Sequence, residues 1–313
     1  MADCLVTGGA GFIGSHIVRG LLDAGHRVRV LDSLCTGHRS NLDEVASQIE
    51  FVEGDICDDQ AVERAVKGIQ HVFHQAALAS VPLSLERPMD THRACVTGTL
   101  NLLRLSVAAG VKRFVYAASS SAYGDQPTSS KRETDLPMPL SPYAAAKLAG
   151  EFYCQAYYRS FGLETVGIRY FNVFGPRQDP NSPYSAVIPL FVNKILSKSR
   201  PLIFGDGGQS RDFTFVANVV QGNLLAAKIP NVGGQIFNVA DGRQTTLLRL
   251  IELLSGLLGQ TIAPEFHPAR LGDVRESLAD ISKARQFLGY EPKYSLEEGL
   301  QKTIAYYQKI ANG

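Results

Sequence analysis

Short apolar runs alternate with helical patterning through the first half of the chain. The runs are "CLVTG" from Cys4, "RVRVLD" from Arg27, "IEFVEGD" from Ile49, "HVFHQAA" from His71, "RFVYAAS" from Arg113 and "ETVGIRYFN" from Glu164. Rich in β-branched or aromatic residues and short, they read as buried strands. Segments between them, such as "GSHIVRGLLDAG" and "GTLNLLRLSVAAG", carry apolar residues at helical spacing and close on glycine. Strand and helix repeated in this order predict an α/β fold, a doubly wound parallel sheet with right-handed crossovers. After Gly175 the pattern changes. "GPRQDPNSPYSAVIP" is a Pro-rich polar connection, and beyond it short strands ("PLIFGDG", "QIFNVAD", "IAPEFHP") mix with helices. This predicts a first domain over residues 1–172 and a smaller C-terminal α/β lobe over 173–313, with the chain returning to the first domain around 213–240. "DQPTSSKRETDLPMPLSP" from Asp125 reads as a long surface loop, of a length that is often functional.

The chain's 313 residues are 45% hydrophobic, enough to build a large core in two lobes. A net charge of +1 offers no basis for nucleic acid or anionic membrane as a partner. No apolar run reaches membrane-spanning length; "LLRLIELLSGLLG" carries Arg249 and Glu252 and reads as an amphipathic helix. "LVTGGAGFIG" follows the first residues without a basic leader or apolar signal region, so a cytoplasmic location is expected. Cys4, Cys35, Cys57, Cys95 and Cys154 are odd in number, scattered and without a CxxC pair. Reduced, mostly buried thiols are expected, and no metal site.

"TGGAGFIG" sets Gly8, Gly11 and Gly14 three residues apart between a strand and a helix. Glycine lets the backbone turn tightly and approach a pyrophosphate, which then rests on the helix N-terminus in a Rossmann-type arrangement. Asp32 ends the second strand 18 residues beyond Gly14. Its carboxylate can accept from ribose hydroxyls and would repel a 2′-phosphate, favouring NAD over NADP. Arg39 is the one nearby cation that could instead accommodate that phosphate. Asp55, in "EGDI", could meet the adenine or remain a solvated turn residue.

In "SPYAAAKLAGEFY", Ser141 suits an N-cap and Pro142 the first helical position. Tyr143 and Lys147 then lie one turn apart on one face. Tyrosine is a poor base at its ordinary pKa of about 10. An ammonium one turn away and a cationic nicotinamide both favour phenolate. Tyr-x-x-x-Lys alone also fits an ordinary amphipathic helix. Beside a dinucleotide fold, and with the serine run "SSSAYG" (Ser119 to Gly124) ending the fifth strand, it reads as catalytic.

These stretches, with "GDICD", "HQAA", "RYFNVFGPRQ", "GDGGQSRDF" and "ARLGDV", resemble the extended short-chain dehydrogenase/reductase family along nearly the whole chain. The resemblance is to its nucleotide-sugar epimerases. It implies NAD as cofactor, a UDP-sugar as substrate, a UDP-sugar-binding C-terminal lobe, and a homodimer through helices near Thr99–Ala109 and Pro142–Phe161. It gives Ser119, Tyr143 and Lys147 catalytic roles: a hydrogen bond to the sugar O4, the base, and a grip on the nicotinamide ribose. It assigns Gly8, Gly11, Phe12, Ile13, Gly14, Asp32, Asp55 and Ile56 to the cofactor, along with Gln75, Ala76, Ala77 and Tyr170. To the substrate it assigns Ser80, Ser119, Ser120, Ser121, Tyr143, Asn172, Val187, Arg211, Arg270, Asp273 and Ser277. Arginines suit a diphosphate because they present several fixed donors. Two departures stand out: "CVTGT" has Cys95 where the family often has Asn, and Ala79 stands where some epimerases carry Lys.

Related dehydratases carry Asp and Glu at the two positions after the matched Ser/Thr, and UDP-glucuronate decarboxylases usually keep a Glu there. This chain has Ser120 and Ser121. A hydroxyl is a poor general acid or base near neutral pH, so elimination loses its proton donor. Oxidation and reduction at C4 remain. Small Ser277 leaves room for a 2-N-acetyl group, and "RQDPNSPYSAVIP" resembles the branch acting on UDP-N-acetylglucosamine. Both UDP-glucose and its N-acetyl analogue are expected as substrates. A UDP-glucuronate 4-epimerase or decarboxylase, and a non-catalytic NAD-dependent sensor, stay open as alternatives.

Overall fold

The computed structural model describes residues 1–312 apart from 127, 129, 181–185, 261 and 269–274, and for 311 and 312 the backbone alone. Six strands follow the apolar runs: β1 (Asp3–Thr7), β2 (Arg27–Asp32), β3 (Ile49–Glu53), β4 (His71–His74), β5 (Arg113–Ser119) and β6 (Glu164–Tyr170). All pair in parallel, in the order β6-β5-β4-β1-β2-β3, and Gln235–Val239 adds a seventh strand beside β6. The order reverses between β1 and β4. At such a switch point, loops leaving the carboxyl ends diverge and open a crevice. The near-continuous apolar character of β5 follows from burial on both faces: Phe114 through Ala118 are all buried.

Helices cover both faces. Helix α1 (Phe12–Asp23) packs against the helix Val216–Lys228 on one side. Gly98–Ala108 and Pro142–Phe161 pack on the other, with Leu102, Leu103 and Cys154 in the core beneath them. The second lobe has its own core, in which Phe174, Phe191, Ile203, Phe215 and Leu250 are buried. Its small sheets, among the described residues, pair Leu202–Phe204 with Glu265–His267, pair Val173–Phe174 with Thr214–Phe215, and set Ser210–Arg211 between Thr245–Thr246 and Glu276–Ser277. Cys4, Cys95 and Cys154 are buried, Cys57 is half-buried and Cys35 is exposed. Among the described residues, no helix is long and apolar enough to cross a membrane.

A buried ion pair underlies the carboxyl end of β5. Arg169 donates from Nε and Nη2 to Glu151 at 2.9 and 2.7 Å, both side chains only 4% exposed. The guanidinium also lies 4.5 Å from the Tyr123 ring centre. Removing one partner strands the other charge in the interior, a loss of about 3–5 kcal/mol. Glu151→Ala is therefore expected to lower the unfolding free energy in urea by about that amount. A loss of less than about 1 kcal/mol, the scale of an exposed pair, would contradict the account.

Candidate active site

The glycine-rich turn is built by close approach. Gly8 has φ +67°, and a Cβ there would stand 2.7 Å from the Ala76 amide nitrogen. A Cβ at Gly14 would collide with the Gly8 carbonyl oxygen. Gly11 donates back to Gly8 O at 3.1 Å. Helix α1 starts at Phe12 with neither a side-chain cap nor an acid in its first turn. Its leading amides and positive dipole end therefore face the crevice, which suits a diphosphate.

The crevice is a cavity of about 530 Å³, within the range of small-molecule sites. Every cofactor position read from the sequence lines it. Gly8, Gly11, Phe12, Ile13 and Gly14 come from the turn and α1, and Asp32 from the end of β2. Asp55 and Ile56 follow β3, Gln75, Ala76 and Ala77 follow β4, and Tyr170 ends β6. Tyr143 and Lys147 close the wall from the helix Pro142–Phe161. Asp32 already accepts from the Ala10 and Leu34 amides at 2.8 and 2.9 Å, so its carboxylate braces the glycine turn. Each oxygen keeps acceptor capacity for a ribose hydroxyl. Arg39 lies with its guanidinium 3.6 Å above the Phe51 ring rather than on the cavity wall. The cavity therefore fits a dinucleotide whose adenosine ribose carries no phosphate.

Ser141 caps the Tyr143 helix, accepting from Ala144 N at 3.2 Å, and Pro142 takes the first turn. Gly150 lets the helix ride closely on β5, since a Cβ there would strike the Tyr116 hydroxyl. Tyr116 in turn donates to the Lys147 carbonyl at 3.2 Å. Lys147 Nζ donates to Ala117 O at 2.8 Å, and burial pushes its pKa down. Burial raises the Tyr143 pKa well above the usual tyrosine value, and the Ser119 hydroxyl offsets only part of the rise. Burial by itself thus favours the neutral phenol. Ser119, at the end of β5, accepts from the Ser121 amide at 3.2 Å and from its hydroxyl at 2.8 Å. Ser120 opens the short turn Ser120–Tyr123 beside it.

Of the described sugar positions, Val187, Arg211 and Ser277 lie on the second lobe. Arg211 and Ser277 are register partners in the small sheet, so their side chains share a face. Asn172 sits at φ +33° and donates to the Asp212 carbonyl at 3.2 Å. Val187 opens the helix Val187–Leu196. Ser80 caps the short helix Val81–Glu86, accepting from Leu83 N at 3.1 Å. Apart from Tyr143, none of the described sugar positions lines the dinucleotide cavity. Arg270 and Asp273 lie outside the described residues.

Two groups escape the sequence reading. Asp212, fully buried, accepts from the Asp241, Gly242 and Ala279 amides and ties three segments of the second lobe together. Burial pushes its carboxyl up to about 7 despite those bonds. Its only sequence signal is its place beside Arg211. Asn223 donates to Tyr170 Oη at 2.9 Å, Tyr170 to Gln75 Oε1 at 3.2 Å, and Gln75 back to Asn223 Oδ1 at 3.4 Å. That closed ring fixes two residues of the cavity wall. An Asn within the apolar run "VANVVQGNLLAAK" is a faint hint of it.

Residues 4–240 match the model of the NAD dependent epimerase/dehydratase family. The UDP-glucose 4-epimerase of Mycolicibacterium smegmatis is 41% identical over 97% of this chain and 98% of its own length. A UDP-glucuronate 4-epimerase from Thermodesulfobacterium geofontis is 36% identical over 97% of this chain and 95% of its own. The solved UDP-N-acetylglucosamine 4-epimerase from Methanobrevibacter ruminantium M1, in complex with UDP-N-acetylmuramic acid, superposes with a TM-score of 0.95. It is 38% identical, with 99% of both chains covered. With a glycine-rich cradle, a braced carboxylate and a Tyr–Lys helix on one cavity, the chain belongs to the NAD-dependent epimerase/dehydratase family of extended short-chain dehydrogenases/reductases.

Proposed function

We propose that the chain is a UDP-sugar 4-epimerase that inverts C4 of UDP-glucose and of UDP-N-acetylglucosamine through a transient 4-keto sugar. The observation that carries the reading is the association of Ser119, Tyr143 and Lys147 at the end of β5 with hydroxyls, not acids, at Ser120 and Ser121. NAD, when bound, supplies the hydride acceptor and a positive charge that favours the tyrosine phenolate. Ser119 hydrogen-bonds O4, and Tyr143 takes the O4 proton as the C4 hydrogen leaves. Lys147 holds the nicotinamide ribose. Asn172, with Arg211, Arg270 and Asp273 of the second lobe, holds the diphosphate while the keto sugar turns over. C4 then regains its hydrogen on the opposite face of the keto sugar, and Tyr143 returns the proton to O4. Ser120 and Ser121 provide no strong acid or base for loss of water, so the ketone is reduced again.

The test uses purified protein without added NAD, incubated separately with UDP-glucose, UDP-N-acetylglucosamine and UDP-glucuronate and followed by NMR. Expected are C4 epimers of the first two; release of water or CO2 would overturn the reading. The 36% identity to a UDP-glucuronate 4-epimerase supports the third sugar as the competing substrate. Its epimerisation in preference to the others would transfer the assignment to it. Tyr143→Phe is expected to lower kcat by about 10²–10⁴-fold with the fold intact, the usual scale for a general acid-base group. A fully active variant would refute the mechanism.

Ser277 beside Arg211 supports a size gate. Ser277→Tyr is expected to abolish turnover of the N-acetylated sugar and spare UDP-glucose, in parallel initial-rate assays. Equal loss of both would remove the gate.

The proposed homodimer is supported by Phe152 and Phe161, 61% and 60% exposed on the helix Pro142–Phe161. Leu85 and Met89 are exposed on the two short helices that pack beside it. Light scattering is expected to give twice the chain mass, and Phe152→Glu to halve it. A monomeric wild type would refute the dimer.

A further inference from the structure

A polar thread crosses the apolar layer beneath the cavity. Thr7 ends β1, His74 ends β4 and Tyr116 lies in β5, and register pairs Thr7 with His74 and His74 with Tyr116. The three side chains therefore stand in a row on the face covered by the helices Gly98–Ala108 and Pro142–Phe161. Thr7, His74 and Thr99 are each at most 1% exposed. The His74 ring packs against Phe114 and Tyr116 with centroids 5.8 and 5.7 Å apart.

The direction of each hydrogen bond in this row is forced. Thr99 Oγ1 lies 2.7 Å from the Cys95 carbonyl oxygen, which can only accept, so the threonine proton is committed there. The same oxygen lies 2.9 Å from His74 Nε2, which must carry the ring proton. Burial, with the Lys147 charge acting in the same sense, pushes His74 down to about 3, so the ring is neutral and Nδ1 is bare. Thr7, 2.7 Å away, therefore donates to Nδ1. Its oxygen then accepts from the Ala76 amide at 3.4 Å.

The two ends of the thread have different surroundings. Ala76 lines the dinucleotide cavity. Cys95 belongs to the π-helical turn Arg93–Thr97, where the Gly98 amide reaches back five residues to the Arg93 carbonyl. Such turns lack the regular hydrogen-bond ladder and often occur at functional sites. Cys95 clusters with Ala146, which lies between Tyr143 and Lys147 in sequence.

We infer that Thr7, His74 and Thr99 form a positioning chain for the epimerase reaction. The chain pins the π-turn of Cys95 against Ala146 and thereby sets Tyr143 and Lys147 relative to the cavity. None of the three touches substrate; they act through the turn. Only the kinetic consequence rests on the epimerase reading. The tautomer is a property of the chain itself.

The test therefore has two arms. Long-range ¹H–¹⁵N NMR of the histidines at neutral pH is expected to find His74 protonated on Nε2 and bare on Nδ1; the opposite tautomer would overturn the chain. In the kinetic arm, Thr99→Val keeps the side-chain shape and removes both bonds. It is expected to lower kcat about 10- to 100-fold with KM hardly changed, as for a small misplacement of reacting groups. Thr99→Ser, which restores the hydroxyl, is expected to recover most of that loss. Wild-type kcat in Thr99→Val, or an equal loss in Thr99→Ser, would refute the positioning role. Should Thr99→Val not fold, Thr7→Val reads the chain from its other end by the same criteria. A wild type that turns over none of the UDP-sugars would fail the epimerase reading, and the histidine spectrum would still decide the thread.

Discussion

The Lys147 ammonium is a charge carried into the interior, 4% exposed and hydrogen-bonded to the Ala117 carbonyl. A cation is expensive to bury, and burial accordingly pushes its pKa down although the nearby Glu151 carboxylate opposes the fall. Packing therefore has to fix it. Gly150 brings the helix hard against Tyr116, Ser141 sets where that helix begins, and Tyr116 holds the Lys147 carbonyl. The same desolvation keeps Tyr143 neutral. The protein thus supplies geometry and a dry environment, and a cationic nicotinamide, when bound, would favour the phenolate. An anionic diphosphate on the α1 N-terminus suits a cavity with a buried cation in its wall.

Features written in local spacing were legible in the sequence. Alternation gave the six strands of the main sheet, and the Gly8–Gly11–Gly14 spacing located the cradle. The Ser141-Pro142 start oriented Tyr143 and Lys147. The residues that the resemblance assigned to the cofactor line one cavity, mostly at strand ends, where a switch point gathers them. Contacts between distant segments were not legible. Asp212 joins segments up to 67 residues away, and the His74 thread joins β1 to the π-turn before the helix Gly98–Ala108. The contact of the Arg39 guanidinium with Phe51 of the neighbouring strand is another such long-range feature. The Tyr143 ionisation could not be read either, because burial is a property of the assembled site.

"SSSAYG" joins the two levels. Ser119 ends a strand and binds the turn that follows, and its hydroxyl bears on Tyr143. Ser120 and Ser121 matter for the acid they lack. In the proposed reaction their hydroxyls leave C4 oxidation and reduction without a competing elimination. The second lobe would hold the diphosphate while the sugar turns, and Arg211 and Ser277 pair on one of its small sheets.

The central claim is that the C4 hydrogen leaves and returns inside one closed site. Its most direct test is epimerisation of UDP-glucose deuterated at C4, in ordinary water and without added NAD, with the label followed in product. The account predicts that the deuterium stays at C4 of UDP-galactose through many turnovers. Loss of the label to solvent, or a requirement for added NAD at every turnover, would contradict it.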